Sequence, residues 1–385
     1  MAFLPFYIPG QKRLNVVIVG GGYAGIAALT VLSHYASNID IVIIDPRDQH
    51  IKITHLHETF RYPLSDFLVP FSELEHRFGC RHISATLTLD ENVLQQWQKD
   101  KTLVVNGEEL AFDYLLIASS CETNASDHLE NVRSLDDFLT LAGSDLLSSF
   151  LLKNDKQAPF ISVVGGGATG IQFLFELKQF LDRQKIKSKL RLINSGDRVL
   201  EQFPKEFSSY VQLRMHDLGI DFYPNTYCKE QQVDKILLEE KQTGKQFELP
   251  SNLSLMFLGK KQGKLFVANS FGQVMINHIT LHNIFAAGDC CYYNSFGSNA
   301  LTAQSAVRKG KLAARNILRH SGTLKLLEPY LHRDIGYVVS LGSADAVGWL
   351  VSTGNVITGI PALAIKELVE SQYDFLLMGI DTYLV

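Results

Sequence analysis

The hydrophobic pattern of the chain announces its first element at Asn15, where Val16-Val-Ile-Val19 forms an unbroken apolar run of strand length. It feeds into Gly20, Gly22 and Gly25, then into a helical pattern, a polar interval and a second apolar run, Ile39–Ile44, closed by Asp45. Unbroken apolar runs bounded by turn residues predict buried strands. The same signals recur: Phe160–Val164, then Gly165, Gly167 and Gly170, a helix over 171–182, and a strand over 189–194. An internal repeat of this kind predicts two similar domains in place of one enlarged one. Between the copies, 112–118 reads as a buried strand ending at Ser119, and 80–89 and 103–105 as short strands, with a hairpin at Asn106-Gly107. Residues 122–158 read as a polar, helical bridge.

Beyond the second copy, 207–218 reads as a helix ending at Gly219, 236–249 as a hairpin, 252–258 as a strand, and 282–289 as a strand closed by Gly288 and Asp289. A long helix is predicted over 302–320. The remainder carries strand-like runs at 336–342 and 345–351, a turn at Ser352-Thr-Gly354, and a helix from Pro361. Its apolar positions Ile365, Leu368, Val369, Leu376 and Leu377 fall roughly on one face.

Glycines in strand–turn–helix–strand context, with an acid closing the second strand, are the pattern of a dinucleotide-binding unit. Gly20 serves the tight turn, Gly22 admits a pyrophosphate to the backbone, and Gly25 lets helix and strand pack. The helix N-terminus offers amide donors to phosphate, and Asp45 is placed to accept from a ribose hydroxyl. At 385 residues, with 46% hydrophobic and 20% charged content, the chain is long enough for two such domains. A net charge of -4 gives no reason to expect nucleic acid as a partner. The histidines between His50 and His57 lack a supporting ligand set, so no metal is expected. Five cysteines (Cys80, Cys121, Cys228, Cys290, Cys291) form no CxxC pair; they are expected to be inert thiols in a reducing compartment. The Asn-x-Ser matches at Asn124 and Asn252 are then expected to be chance. No signal peptide or spanning helix is predicted. The expected location is the cytoplasm, with peripheral attachment to the cytoplasmic face of a membrane left open.

Two glycine fingerprints, the Ile284–Asp289 box and Thr302-Ala-Gln-Ser-Ala306 together resemble the two-dinucleotide-binding-domain flavoproteins, and most closely the type II NADH dehydrogenases. The stretches Glu122–Asn124, Ser134–Asp137 and Gly336–Gly342 support the match. The resemblance implies an α/β fold: two Rossmann-like domains, for FAD and NAD(P), with a C-terminal α+β segment. The implied division is 1–122 and 284–325 for the FAD domain, 123–283 for the NAD(P) domain, and 326–385 for membrane or dimer docking. FAD would lie against Gly20, Gly22, Tyr23, Ala24, Gly25, Asp45, Pro46, Arg47, Ala118, Ser119, Gly288, Asp289 and Ala303. NADH or NADPH would lie against Gly165, Gly167, Ala168, Thr169, Gly170 and Asn194. The implied activity is electron transfer from NAD(P)H through FAD to a quinone, without proton pumping. A homodimer and peripheral membrane contact are open partners.

The chain departs from the family pattern at three places. Gln172 stands where an acid is usual. The strand after the second fingerprint ends in Asn194-Ser195, so NADPH use stays open, with Arg191 and Arg198 as phosphate partners. Arg308 replaces the second glutamine of the segment that contains Gln304, where a cation either binds an anionic acceptor or closes the pocket. Gln172, Gln304 and Arg308 are therefore the candidate catalytic positions. The alternatives are an FAD reductase with another donor or acceptor, such as sulfide, and a flavoprotein scaffold that has lost nicotinamide oxidation.

Overall fold

The computed structural model describes residues 3–10, 12–119, 130–153, 159–259 and 265–383. Cys121, the Glu122–Asn124 stretch and the last two residues of the tail lie outside them. Both fingerprint strands take central places in their sheets. Leu14–Val19 lies between Ile39–Ile44 and Tyr114–Ile117 in an eight-stranded sheet and pairs in parallel with both. Phe160–Val164 lies in the same way between Lys189–Ile193 and Leu253–Met256 in a five-stranded parallel sheet. Each fingerprint strand therefore sits where the strand order reverses, which opens a crevice at its carboxyl end.

Several expectations shift in detail. The bridge read as helical contributes a strand, Val132–Ser134, to the edge of the second sheet before its helix Gly143–Lys153. Three residues are too few to show a strand period. The strands Phe266–Ala268 and Gln273–Ile276 already belong to the first sheet, and the expected division at 283 and 284 falls inside the strand Ile279–Ala286. Hydrophobic pattern marks an antiparallel strand but does not say which sheet it joins. Strands Gly336–Ser340, Ala346–Leu350 and Ser352–Thr358 form a separate three-stranded antiparallel sheet. Because Trp349 pairs with Val356, its second hairpin turns around Ser352-Thr-Gly354 as expected, with an irregularity at Leu350.

This C-terminal sheet and the helix Ile360–Leu377 join the two domains. Val339, Leu341 and Val347 enter the apolar core of the second domain. Tyr373, Leu376 and Leu377 enter the core of the first, beside the helix Tyr23–Tyr35. A second tie is the 3-10 segment Ile53–Phe60, whose Leu56 and Phe60 leave the first domain for the second domain's core. There Phe60 meets Phe138, Phe173 and Phe180 with ring centroids 5.8–6.3 Å apart.

The predicted apolar face of the last helix holds only in part. Leu376 and Leu377 are buried, but Leu368 is 67% exposed and Val369 is exposed as well. The inward positions earlier in the helix are Ala362 and Lys366. The helix crosses the polar side of Ile53–Phe60, so a cation, not an aliphatic side chain, faces inward there.

Candidate functional site

In the first fingerprint the backbone has no room for a side chain at two glycines. Gly20 adopts φ +110°, and a Cβ on it would lie 2.4 Å from the Ala118 carbonyl oxygen. A Cβ on Gly25 would lie 2.0 Å from the Gly20 carbonyl oxygen, so helix Tyr23–Tyr35 touches the turn it leaves. Gly22 differs: a Cβ there would meet nothing within 4 Å. It is the N-cap of the helix and has no side-chain cap, which leaves orphan amide donors facing open space. Open space and unpaired N–H groups fit a pyrophosphate.

Asp45 is buried under this loop. Its carboxylate accepts from the Gly21 amide at 2.7 Å, the Arg47 amide at 3.0 Å, and Arg47 Nε and Nη2 at 2.9 and 2.8 Å. Burial pushes its pKa up, but the Arg47 hydrogen bonds and charge and the Gly21 amide outweigh this and hold it below the usual carboxylate range. Asp45 thus shapes the loop as well as offering an acceptor, and Arg47 is its half-exposed partner.

The second fingerprint repeats this geometry. Gly165 adopts φ +114°, and a Cβ on Gly170 would lie 1.9 Å from the Gly165 carbonyl oxygen. Gly167 faces open space, and Gly167 and Thr169 are exposed at the start of helix Ala168–Arg183. Asn194 takes the place of Asp45. Its Oδ1 accepts from the Gly166 amide at 3.0 Å, and its Nδ2 donates to the Arg198 carbonyl at 2.9 Å. The amide therefore keeps the loop-shaping bond and adds one that a carboxylate cannot make.

Neither cation expected to reach a phosphate here is placed for it. Arg191 is buried in its strand, with its guanidinium 5.4 Å from the centre of the Phe160 ring. Arg198 donates to the carbonyls of Phe203 and Glu201 and to Ser208 Oγ. Strand alternation turns the first inward, and the second closes its own loop.

The Asp289 box, the first fingerprint helix and the long helix Ala303–Ser321 converge. A Cβ on Gly288 would lie 3.1 Å from Ala24 Cβ and 4.0 Å from Ala306 Cβ. The long helix comes this close because Gly310 sits on the Ala24 carbonyl, where a Cβ would be 2.1 Å away. Its N-terminus is capped by Thr302, whose hydroxyl accepts from the Ser305 amide at 3.1 Å. Ala303 and Gln304 stand half-buried in its first turn, and Asp289 is half-buried beside Gly288. Arg308 lies one turn after Gln304, with its guanidinium 5.3 Å from the centre of the Tyr383 ring, so the tail covers it. Burial lowers its pKa.

Gln172 occupies a junction of three elements. Its Nε2 donates to Ser340 Oγ at 3.2 Å and lies 3.5 Å from His57 Nε2, which is itself 3.0 Å from Ser340 Oγ. His57 is held neutral: burial and then the Lys366 charge push its pKa well down. Beside it, Lys366 donates to Glu58 at 2.9 Å and Glu370 at 2.7 Å. His55, Glu58 and Glu370 could hold a metal ion by spacing, but the Lys366 ammonium already sits between the two carboxylates. One helical turn beyond Gln172, the fully buried Glu176 pairs with Arg61 at 2.9 Å. His57, Ser340 and Lys366 had no motif to mark them. The i, i+4 pairing of Lys366 with Glu370 was the one signal available.

The adjacent cysteines are free thiols. Both are buried, and Cys290 donates toward the carbonyls of Ile117 and Ala287, Cys291 toward that of Gly288. The Cys291 side chain and burial push the Cys290 thiol well above its ordinary value. Burial raises Cys80 and Cys228 to about 11.

Two crevices of one design, each at the carboxyl end of a fingerprint strand, agree with the comparisons. The type II NADH:quinone oxidoreductase of Staphylococcus aureus is 26% identical, over 96% of this chain and 97% of that one. The NDH2 of Plasmodium falciparum, solved with NADH, has a TM-score of 0.80 at 15% identity, covering 94% of this chain and 95% of that one. The sulfide:quinone oxidoreductase of Aquifex aeolicus has a TM-score of 0.71 at 17% identity, covering 95% and 92%. These structural likenesses establish the two-domain fold with its C-terminal α+β region. A family model described as pyridine nucleotide-disulphide oxidoreductase matches residues 14–310, and the chain belongs to that family.

Proposed function

We propose that this chain is an FAD-dependent NAD(P)H:quinone oxidoreductase. The observation that carries the reading is the pair of open, uncapped helix N-termini at Gly22 and Gly167, in crevices of the same design. The near full-length similarity to type II NADH:quinone oxidoreductases supports it. Bound FAD supplies the two-electron exchange between nicotinamide and quinone. Gly20, Gly22 and Gly25 hold the pyrophosphate. Asp45 holds the adenosine ribose, with Arg47 as the exchangeable partner that yields a carboxylate oxygen to it. Ala118, Ser119, Gly288, Asp289 and Ala303 line the rest of the cofactor's course. The capped N-terminus of the Ala303–Ser321 helix favours negative charge at its mouth.

The nicotinamide donor binds over Gly165, Gly167, Ala168, Thr169 and Gly170, with Asn194 toward its ribose. With Arg191 and Arg198 engaged elsewhere, the site favours NADH over NADPH. Gln172 orients by hydrogen bonding without charge, while Gln304 and Arg308 face the acceptor side. Anaerobic mixing of FAD-loaded protein with NADH, NADPH or sulfide tests this, followed by turnover with a soluble quinone. NADH is expected to bleach the flavin band fastest. A flavin that neither nicotinamide reduces would sink the reading, and bleaching by sulfide alone would transfer it to a sulfide donor.

We further infer peripheral contact with a membrane through the last helix. No described helix is long and apolar enough to cross one. The outer face of Ile360–Leu377 and the residues after it expose Leu368, Phe375, Met378 and Ile380, while the inner face is tied to the protein. The wild type is expected to float with phosphatidylcholine vesicles and a Leu368→Glu/Phe375→Glu variant to stay behind. Equal flotation of the two would refute this attachment.

A further inference from the structure

The C-terminal helix reaches the first phosphate-binding loop through two buried side chains that no fingerprint contains. His50 Nδ1 lies 2.9 Å from the Gly21 carbonyl oxygen, and the Tyr373 hydroxyl lies 2.9 Å from His50 Nε2. A carbonyl only accepts, so the single proton of the neutral ring is on Nδ1, and Tyr373 donates to Nε2. Burial keeps the ring neutral, with its pKa lowered to about 4. All three groups are buried. The Tyr373 ring also lies 4.5 Å, centroid to centroid, from that of Tyr23, the first residue of the fingerprint helix. The Tyr23 hydroxyl is in turn fixed on Thr54 Oγ1 at 2.8 Å.

Gly21 is thus held at both ends. Its amide donates to Asp45, and its carbonyl accepts from His50. The peptide joining Gly21 to Gly22 is planar and trans, so its C=O and N–H point in opposite directions. Pulling the Gly21 carbonyl toward His50 therefore turns the Gly22 N–H the other way, at a residue where even an added Cβ would meet nothing within 4 Å. We propose that His50 and Tyr373 are positioning residues for the cofactor pyrophosphate: Tyr373 fixes the His50 tautomer, and His50 aims the Gly22 amide. The C-terminal helix is then part of the cofactor's grip as well as a docking element. Without the tyrosine hydroxyl, the imidazole proton is free to move to Nε2, and the Nδ1 lone pair then faces the Gly21 carbonyl and repels it.

The inference rests on the reading of the first crevice as the FAD site, and one titration separates the two. Apoprotein would be titrated with FAD, following flavin fluorescence, for the wild type, Tyr373→Phe, His50→Leu and His50→Asn. Asparagine places an amide donor at about the position of Nδ1, whereas leucine removes it. Tyr373→Phe and His50→Leu are expected to weaken FAD binding by about three- to tenfold, the net worth of one hydrogen bond. His50→Asn is expected to recover most of what His50→Leu loses. The melting temperature of the apoprotein should stay near the wild-type value for Tyr373→Phe, while the upward shift given by FAD shrinks. A merely structural role would lower both melting temperatures and leave the dissociation constant unchanged. Wild-type-like affinity in Tyr373→Phe, or no recovery in His50→Asn, overturns the inference. Failure of the wild type to bind FAD overturns the function reading itself.

Discussion

A Gly22→Val variant is expected to fold like the wild type and to purify without FAD. Gly22 has φ −81° and ψ −169°, an extended backbone that valine adopts readily, and a Cβ there touches no protein atom within 4 Å. The methyl groups would instead fill the space in front of the helix N-terminus. Losing two hydrogen bonds to a charged group, at about 1.5–3 kcal/mol each, weakens binding by about a hundredfold or more. Gly25→Ala is the informative contrast. Its Cβ would overlap the Gly20 carbonyl at 2.0 Å, and neither partner is a flexible side chain. The fingerprint helix would have to lift off its strand, so loss of folded protein is expected in place of a folded apoprotein. Flavin absorbance per protein and far-UV circular dichroism distinguish the two. A yellow Gly22→Val protein would mean that the open space is not where the pyrophosphate lies.

Lys366→Met is expected to destabilise the protein by about 3–5 kcal/mol, the usual cost of removing one member of a buried ion pair. The ammonium is 6% exposed and the Glu58 carboxylate 11%, so the change strands a buried charge. Urea unfolding midpoints should show the loss, and adding Glu58→Gln should recover a large part of it by removing the stranded charge. A Lys366→Met protein as stable as the wild type would contradict this account of the junction.

The acid side of the stability profile should carry the same signature. Burial acts to raise the Glu58 pKa, but His55 and then Lys366 overcome it and hold the group well below its ordinary value. A depressed carboxylate contributes stability that is complete above the unfolded value of about 4.3 and drains away as pH falls toward the folded one. Burial holds Glu370 above its ordinary value against His55 and Lys366, so its contribution runs the other way and changes above about pH 4.3, before the Glu58 loss begins. Below about pH 4.3 the wild type should therefore lose stability more steeply than Glu58→Gln. Parallel profiles would show that Glu58 does not carry the effect. Because Lys366 and Tyr373 share one helix, this junction also holds the residue that reaches His50.

How much was legible beforehand depended on the range of the interactions involved. The two strand–turn–helix units, Asp45, the Asp289 box and the long helix from Thr302 were readable, because each is specified within a few tens of residues. Apolar runs set the strands, and sterics at Gly20 and Gly25 allow only glycine. The departure at Asn194 was visible, but its consequence was not. That the amide also closes on the Arg198 carbonyl required the fold of the loop. The outward turn of Leu368 and the inward turn of Lys366 were likewise hidden, since a helical period locates a face but not the partner it will meet.

The sequence by itself determined two dinucleotide-binding units and the first glycine turn, which follow from local backbone sterics and apolar runs, and its motifs carried the resemblance to the family. Tertiary structure alone decided that His57 and Ser340 surround Gln172, that Tyr383 covers Arg308, and that His50 and Tyr373 hold the Gly21 carbonyl. His50 and Tyr373 are 323 positions apart, and His57 and Ser340 are 283. A pairing over such a distance leaves no period or spacing in the chain. It exists only because burial of Tyr373, Leu376 and Leu377 in the first domain's core brings the last helix back to the first turn.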